Sequence, residues 1–144
     1  MRCLIGMPTF DRRVDIEIVQ TMINLERQGT HSFDYVFPVS SHLSRNRNLC
    51  VKAALDGGHD YLLFWDSDVS IPGVDFLDKM LETSYRFDAA IVCGAYKIRE
   101  PKRDKYPLGV DLPDGRRENL SYISWPRLVD YGGTGIMLVK TEVF

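Results

Sequence analysis

Two aspartates, Asp66 and Asp68, are the residues of this 144-residue chain best suited to chemistry. They follow the unbroken apolar run Tyr61–Trp65, which predicts a buried strand. If strand geometry continues through them, residues two apart point the same way and both carboxylates face one side. Adjacent anions need a positive charge between them, and oxygen ligands suit Mg²⁺ or Mn²⁺. The pair therefore predicts a divalent-metal site, against the alternative of a solvated acidic turn.

A second candidate site is the segment Ser44–Asn48, which reads Ser-Arg-Asn-Arg-Asn at the start of a predicted helix. Exposed amides at a helix N-terminus, together with a guanidinium, bind anions. Arg45 and Arg47 cannot face the same way along a helix, so at most one of them serves this site. The competing interpretation is that both are solvated surface arginines.

A third candidate is the glycine-rich segment Gly132-Gly133-Thr134-Gly135, which precedes an apolar run. Glycines allow a close approach of the backbone to a ligand, or a sharp turn. The spacing is not that of the Gly-x-Gly-x-x-Gly dinucleotide fingerprint. A ligand contact and a plain tight connection are equally consistent with this segment.

Alternating strands and helices must position these residues. Apolar periodicity and turn residues predict strands over Cys3–Met7, Phe33–Val39, Tyr61–Trp65, Ala89–Gly94, Ser121–Val129 and Gly135–Lys140, and helices over Val14–Arg27, from about Ser44 to Gly57, and over Val74–Tyr85. The alternation predicts an α/β fold with a doubly wound, mainly parallel sheet and helices on both faces. Ligands in such sheets bind at the carboxyl ends of the strands. Four segments should therefore gather on one edge: Pro8-Thr9, Ser40-Ser41, Asp66–Asp68 and Ala95-Tyr96.

The alternation of predicted strands and helices is interrupted by the segment Lys97–Asn119, which is rich in charged residues, proline and glycine. Pro113-Asp114-Gly115 predicts a turn within it. The segment is predicted to be an exposed loop or hairpin, or else a flap over the ligand edge.

Composition limits the class of protein. With 44% hydrophobic and 26% charged residues, the chain is predicted to form one soluble domain over residues 1–144. A net charge of −2 gives no reason to expect a nucleic-acid partner, and no apolar run is long enough for a membrane span. The three scattered cysteines are typical of reduced thiols, which predicts a cytoplasmic protein. The sequence after the last predicted strand does not resemble a finished terminus, so a longer parent chain is expected.

In their order, these motifs resemble the nucleotide-diphospho-sugar glycosyltransferases of the GT-A fold, most closely the family-two-like enzymes. The features that match are Pro8-Thr9 after the first strand, Arg45-Asn46 at the start of a helix, Asp66-Ser67-Asp68 after an apolar strand, Ile71-Pro72 before the next helix, and Gly133 to Phe144 as a glycine-led strand with a basic-x-x-Val-Phe end. The resemblance covers nearly the whole chain.

The resemblance implies a role for each matching residue. Pro8 and Thr9 would touch the nucleoside, Arg45 would contact the nucleotide, and Asn46 would order the loop. Asp66 would meet the ribose or the metal, and Asp68 the Mn²⁺ or Mg²⁺ that bridges the phosphates. Asp34 or Ser40 would reach the base. Gly133, Thr134 and Gly135 would border the donor sugar and the acceptor.

The implied activity is transfer of a sugar from a UDP- or GDP-sugar to a hydroxyl of a glycan or other acceptor. In inverting members of the family, the general base is a carboxylate beyond the glycine-led strand, where this sequence stops. Asp130 is the one nearby candidate, and it lies on the wrong side of the glycines.

Two other interpretations remain open at this point. Asp66-Ser67-Asp68-Val69 also fits a haloacid-dehalogenase-like phosphatase, in which Asp66 would be the nucleophile. That motif normally ends the first strand of its domain, whereas two strand–helix units precede it here. The third interpretation is a non-catalytic GT-A-like binding domain.

Overall fold

The computed structural model describes residues 1–71, 73–96, 106–121, 123 and 126–144. Helices and strands alternate from the N-terminus as far as the fourth strand. The strands are β1 (Arg2–Gly6), β2 (Ser32–Val36), β3 (Tyr61–Trp65), β4 (Ile91–Cys93), β5 (Leu108–Asp111), β6 (Arg117–Asn119), β7 (Tyr131–Gly132) and β8 (Ile136–Lys140). The helices are α1 (Ile16–Gln28), α2 (Leu43–Asp56) and α3 (Phe76–Arg86), and a 3₁₀ turn (Thr141–Val143) follows β8.

Five strands form the main sheet in the order β2-β1-β3-β8-β4. β1 pairs in parallel with β2 and with β3. β8 pairs antiparallel with both β3 and β4, so it runs against the other four strands. The fold is therefore a mixed α/β fold with a mixed sheet. β8 follows the short strands of a second sheet and not a crossover helix, and an antiparallel neighbour needs no such helix.

Apolar side chains fill the space on both faces of this sheet. One core joins Leu63 and Trp65 of β3 to residues of α1 and α3, namely Ile18, Leu25, Leu77 and Met80. The other joins Leu62 and Phe64 of β3 to Cys50 and Ala54 of α2. Because successive side chains of β3 enter opposite cores, its sequence is apolar without a break.

A second, three-stranded antiparallel sheet has the order β6-β5-β7. The β5–β6 hairpin turns at Leu112–Arg116, where the Leu112 amide donates to the Arg116 carbonyl at 2.8 Å. Gly115 has a φ of 79°, which a glycine adopts without strain. The turn predicted at Pro113-Asp114-Gly115 is thus confirmed. Residues 97–105 of the predicted flap lie outside the described residues.

The strand predicted over Ser121–Val129 is wrong for the part of it that the structure describes. Residues 121, 123 and 126–129 form no strand. Pro126 lacks an amide for a ladder, and the Leu128 side chain is 91% exposed and packs in no core. The neighbouring pair Tyr131–Gly132 forms β7 against β5, so Gly132 of the predicted glycine segment lies in a strand. Among the described residues no helix is long and apolar enough to cross a membrane.

Candidate functional site

The ends of β1 and β2 are joined at the carboxyl edge of the sheet. Beyond β1, Thr9 pairs with Val39 in an isolated parallel bridge. The Thr9 amide donates to the Pro38 carbonyl at 3.0 Å, and the Ser40 amide donates to the Thr9 carbonyl at 3.3 Å. Pro8 and Thr9 are both buried. The predicted segments Pro8-Thr9 and Ser40-Ser41 therefore do meet on one edge, as parallel strand ends should.

Asn46 fastens the start of α2 to this edge. It is 2% exposed, and its side-chain nitrogen donates to the carbonyls of Thr9 and Ser40, each at 3.1 Å. One amide thus links a helix to two strand ends. Its position suits the loop-ordering role that the family resemblance implies.

Arg47, and not Arg45, is the arginine that reaches the aspartate pair. Its Nη2 lies 3.2 Å from Oδ1 of Asp66 and 3.5 Å from the Thr134 carbonyl. The guanidinium also lies 5.9 Å from the centre of the Phe64 ring. The Arg47 side chain is 20% exposed, whereas Arg45 is an exposed residue.

The helical period could have identified Arg47 from the sequence. The buried residues of α2 recur every four positions at Asn46, Cys50 and Ala54. Arg47 comes three residues before Cys50 and therefore borders that buried face. Arg45 lies outside this face and remains a predicted nucleotide contact, without support from the geometry of α2.

The two aspartates do not share a strand. β3 ends at Trp65, and the Val69 amide donates to the Asp66 carbonyl at 3.1 Å across a turn. The Trp65 indole fixes this turn by donating to the Val69 carbonyl at 2.7 Å. The strand geometry from which a same-side orientation was expected therefore does not continue beyond Trp65. The turn nevertheless leaves the two charges close enough to act on each other.

The electrostatics of Asp66 reflect this crowding. Burial raises its pKa above the ordinary value, the Arg47 guanidinium opposes that rise, and the negative charge of Asp68 adds to it. The Asp66 side chain is 28% exposed, and Asp68 is exposed. Asp66 is thus a partly desolvated anion that a positive charge would stabilise further.

The glycine segment packs directly beside Asp66. The Asp66 amide donates to the Gly135 carbonyl at 2.8 Å, and the Gly135 amide donates to Oη of Tyr96 at 3.1 Å. A Cβ on Gly133 would lie 2.5 Å from Oη of Tyr96, and one on Gly135 would lie 2.8 Å from its Cζ. The Tyr96 side chain therefore packs against the backbone of both glycines. The segment still places Thr134 next to Arg47.

Two predicted candidates lie away from this cluster. Asp130 accepts from the Asp111 amide at 2.9 Å, and its own amide donates to the Gly109 carbonyl, so it serves the small sheet. Asp34 accepts from His59 at 2.7 Å and from Arg2 at 3.2 Å. His59 and Arg2 stand at the amino ends of β3 and β1, which favours Ser40 over Asp34 as the residue near a bound base.

The donor set at this edge fits one kind of metal. Within the described ranges, no group of three or more His, Cys, Asp or Glu residues is placed to hold a metal ion. A closed site made by protein ligands alone therefore does not fit these residues. Two carboxylates do fit Mg²⁺ or Mn²⁺, because these ions retain waters and take phosphate oxygens of a bound substrate as further ligands.

Comparison with known proteins identifies a structure of similar fold but no family. No protein-family model matches this chain, and no curated protein matches it. A solved structure described as the crystal structure of A197 from STIV is similar, with a TM-score of 0.70 over 99% of this chain and 20% sequence identity. This chain spans 66% of that chain's length. At this identity the similarity shows a shared fold alone.

Proposed function

We propose that this chain is a glycosyltransferase domain of the GT-A type. It binds a nucleotide-diphospho-sugar together with Mn²⁺ or Mg²⁺ and transfers the sugar to an acceptor hydroxyl. The observation that carries the proposal is the meeting of Asp66, its neighbour Asp68 and Arg47 at the carboxyl edge of three parallel strands. This is the edge where open α/β sheets bind their ligands.

The fold supports the proposal at a coarser level. Four of the five strands of the main sheet run in one direction, and helices pack on both faces. This topology is compatible with the doubly wound GT-A arrangement expected from the sequence. We propose that arrangement for this chain.

Each part of the edge has a proposed task. Asp66 and Asp68 would hold the metal against the diphosphate, and the metal would supply positive charge for the leaving nucleotide. Thr9 and Pro8 line the nucleoside. Gly133–Gly135 borders the donor sugar. Asp130 has no part in the chemistry, because the small sheet uses its carboxylate.

Calorimetric titration with uridine and guanosine diphosphates, with and without Mn²⁺, tests this proposal. We expect one of the two to bind when the metal is present, and Asp68→Ala to abolish that binding. Asp56→Ala is the control, because Asp56 is an exposed carboxylate at the far end of α2. If neither nucleotide binds wild-type protein in the presence of metal, the proposal is wrong.

Two alternatives give different results with the same protein. A haloacid-dehalogenase-like phosphatase would bind beryllofluoride covalently at Asp66, and Asp66→Asn would prevent it. A non-catalytic binding domain would bind nucleotide and Mn²⁺ but would neither hydrolyse nor transfer sugar from any UDP- or GDP-sugar supplied. The contact between Arg47 and Asp66 favours the glycosyltransferase, since a guanidinium beside the carboxylate reduces its nucleophilicity.

A further inference from the structure

Strand β4 forms one border of the main sheet. Within the described part of the chain it pairs with β8 and with no other strand. The Lys140 amide donates to the Ala90 carbonyl at 2.9 Å, just before β4 begins. Backbone groups in an antiparallel pair point alternately toward the partner strand and away from it. The amides and carbonyls of Ile91 and Cys93 therefore point away from β8.

These outward backbone groups have no strand to pair with. Among the described residues, the backbone groups of Ile91 and Cys93 have no hydrogen-bond partner on this side of β4. The strand reads Ile-Val-Cys, without the charged residues or proline that often prevent a strand edge from pairing. An edge of this kind can accept a further strand.

A cavity of about 860 Å³ lies along this edge. Apolar side chains from the two sheets or next to them line it, namely Ile91, Val92, Cys93, Leu108, Leu120 and Met137. Phe87 and Leu128 line it as well, and like Ile91 they are more than half exposed. A ligand in the cavity would therefore remove apolar surface from water. The volume lies within the range of known binding sites.

The edge of β4 decides which kind of apolar ligand suits this cavity. A hydrocarbon would cover the backbone groups of Ile91 and Cys93 without offering them hydrogen bonds, and that desolvation costs free energy. An extended peptide offers carbonyls to the amides and amides to the carbonyls. Its alternate side chains would point into the cavity. A peptide strand therefore fits better than a lipid.

The charged residues of the cavity indicate the charge of the ligand. Three of them line it: Asp88, Arg127 and Asp130. Asp88 accepts from Nζ of Lys140 at 2.8 Å, and Asp130 accepts from the Asp111 amide at 2.9 Å. The Arg127 guanidinium is exposed and has neither an ion pair nor a hydrogen bond within the described ranges. A negative charge on the ligand would complement it.

We propose that β4 and the cavity beside it bind an extended apolar peptide segment of another protein, with an acidic residue facing Arg127. The segment adds a strand to the main sheet by pairing with Ile91 and Cys93. β8 lies between this site and β3, which carries Asp66 at its end. The proposal does not depend on the proposed function.

Calorimetric titration with synthetic probes tests the ligand class. The first probe is a short peptide of alternating valine and threonine that ends in glutamate. The second is the same peptide with every backbone amide N-methylated, and it should bind at least about tenfold more weakly because it cannot donate to the strand edge. The third has glutamine in place of glutamate and should bind about two- to fivefold more weakly. Dodecanoate, a hydrocarbon chain with one carboxylate, represents the lipid alternative.

Amide hydrogen exchange followed by nuclear magnetic resonance locates the bound peptide. In the free protein, the amides of Ile91 and Cys93 should exchange faster than that of Val92, which pairs with Leu138 of β8. Saturating peptide should slow exchange at Ile91 and Cys93 by at least about tenfold and change Val92 less.

Matched variants separate the strand edge from the side chains. Ile91→Pro removes an outward amide that β8 does not use, whereas Ile91→Ala keeps that amide and shortens the same side chain. We expect Ile91→Pro to bind the glutamate peptide at least about tenfold more weakly than Ile91→Ala. Circular dichroism establishes that both variants are folded. If Ile91→Pro does not fold, hydrogen exchange in the wild type decides.

A second pair of variants tests the charge. Arg127→Gln should weaken binding of the glutamate peptide about two- to fivefold and leave binding of the glutamine peptide unchanged. Arg27→Gln removes the same charge from an exposed position in the last turn of α1 and should affect neither peptide.

Three results would overturn the proposal. The first is that no peptide binds the wild type at millimolar concentration. The second is that a peptide binds but leaves exchange at Ile91 and Cys93 unchanged, which would place it elsewhere. The third is that dodecanoate binds and the peptides do not, which would make the cavity a lipid site. None of these results bears on nucleotide binding at Asp66 and Asp68, which is measured separately.

Discussion

Asn46 and Asn48 lie two residues apart on α2, and only Asn46 is buried. Asn46→Ala removes both hydrogen bonds that join the helix to the strand ends, and we expect a loss of about 1–3 kcal/mol in the free energy of unfolding. Asn48→Ala changes the same side chain at an exposed site and should stay within about 0.5 kcal/mol of wild type. Urea denaturation of the two variants measures the difference. If both variants lose the same free energy of unfolding, the hydrogen bonds of Asn46 do not stabilise the attachment of α2 to the strand ends.

At the same scale, the sequence identified Asp66 more readily than its partner. An acidic pair after five apolar residues stands out, because burial of the strand dictates where the polar residues begin. The helical period of α2 favours Arg47 over Arg45, but it does not show which residues Arg47 contacts. Its approach to Thr134 joins positions 87 residues apart, which no local pattern encodes.

The connection into β8 depends on the fit between Gly135 and Tyr96. A methyl group on Gly135 would meet the ring at 2.8 Å, so Gly135→Ala should lower the free energy of unfolding by about 1–3 kcal/mol. Tyr96→Ala removes the ring. In that background, Gly135→Ala should lower the free energy of unfolding by at least about 0.5 kcal/mol less than it does in the wild type. A double-mutant cycle in urea measures this coupling. If the two losses in the free energy of unfolding are strictly additive, the two residues are not energetically coupled.

Strand β2 is linked to the start of β3 through Asp34. The hydrogen bond from His59 chiefly, and Arg2 as well, hold the pKa of Asp34 below its ordinary value of 3.8. A carboxyl group whose pKa is lower in the folded state stabilises the fold above its unfolded pKa and loses that contribution as pH falls through the folded pKa. Acid should therefore destabilise wild-type protein below about pH 3.8 more steeply than Asp34→Asn. Urea midpoints at several pH values test this, with Asp56→Asn expected to follow the wild type.

Elements were predictable where one local signal dominated. Tyr61–Trp65 is β3 in both sequence and structure, because a strand covered on both faces needs an unbroken apolar run. The direction of β8 was not predictable, since Ile136–Lys140 reads the same in a parallel or an antiparallel pairing. Ser121–Val129 is rich in β-forming residues, but Pro126 lacks an amide for a ladder and Leu128 is exposed, so composition alone predicted a strand that the described residues do not form.

For the molecule as a whole, stability should reside in the two cores beside the main sheet. Leu63 of β3 is 0% exposed, whereas Leu128 is 91% exposed. Leu63→Ala should lower the free energy of unfolding by about 2–5 kcal/mol, because it leaves a cavity between the sheet and the helices. Leu128→Ala should change it by less than about 0.5 kcal/mol. Thermal or urea unfolding compares them, and a small effect of Leu63→Ala would place the main core elsewhere.

The place of β8 in the sheet has a consequence for synthesis on the ribosome. Tyr61 of β3 pairs with Lys140, and within the described part of the chain β4 joins the main sheet through β8 alone. While the chain is being made, β3 is therefore left as an open edge and β4 has no strand to pair with until the residues of β8 emerge. Such long-range pairing closes slowly and exposes strand edges in the meantime. Because β8 is made after the other four strands of the main sheet, the nascent domain would depend on it to complete the centre of that sheet and not merely its border.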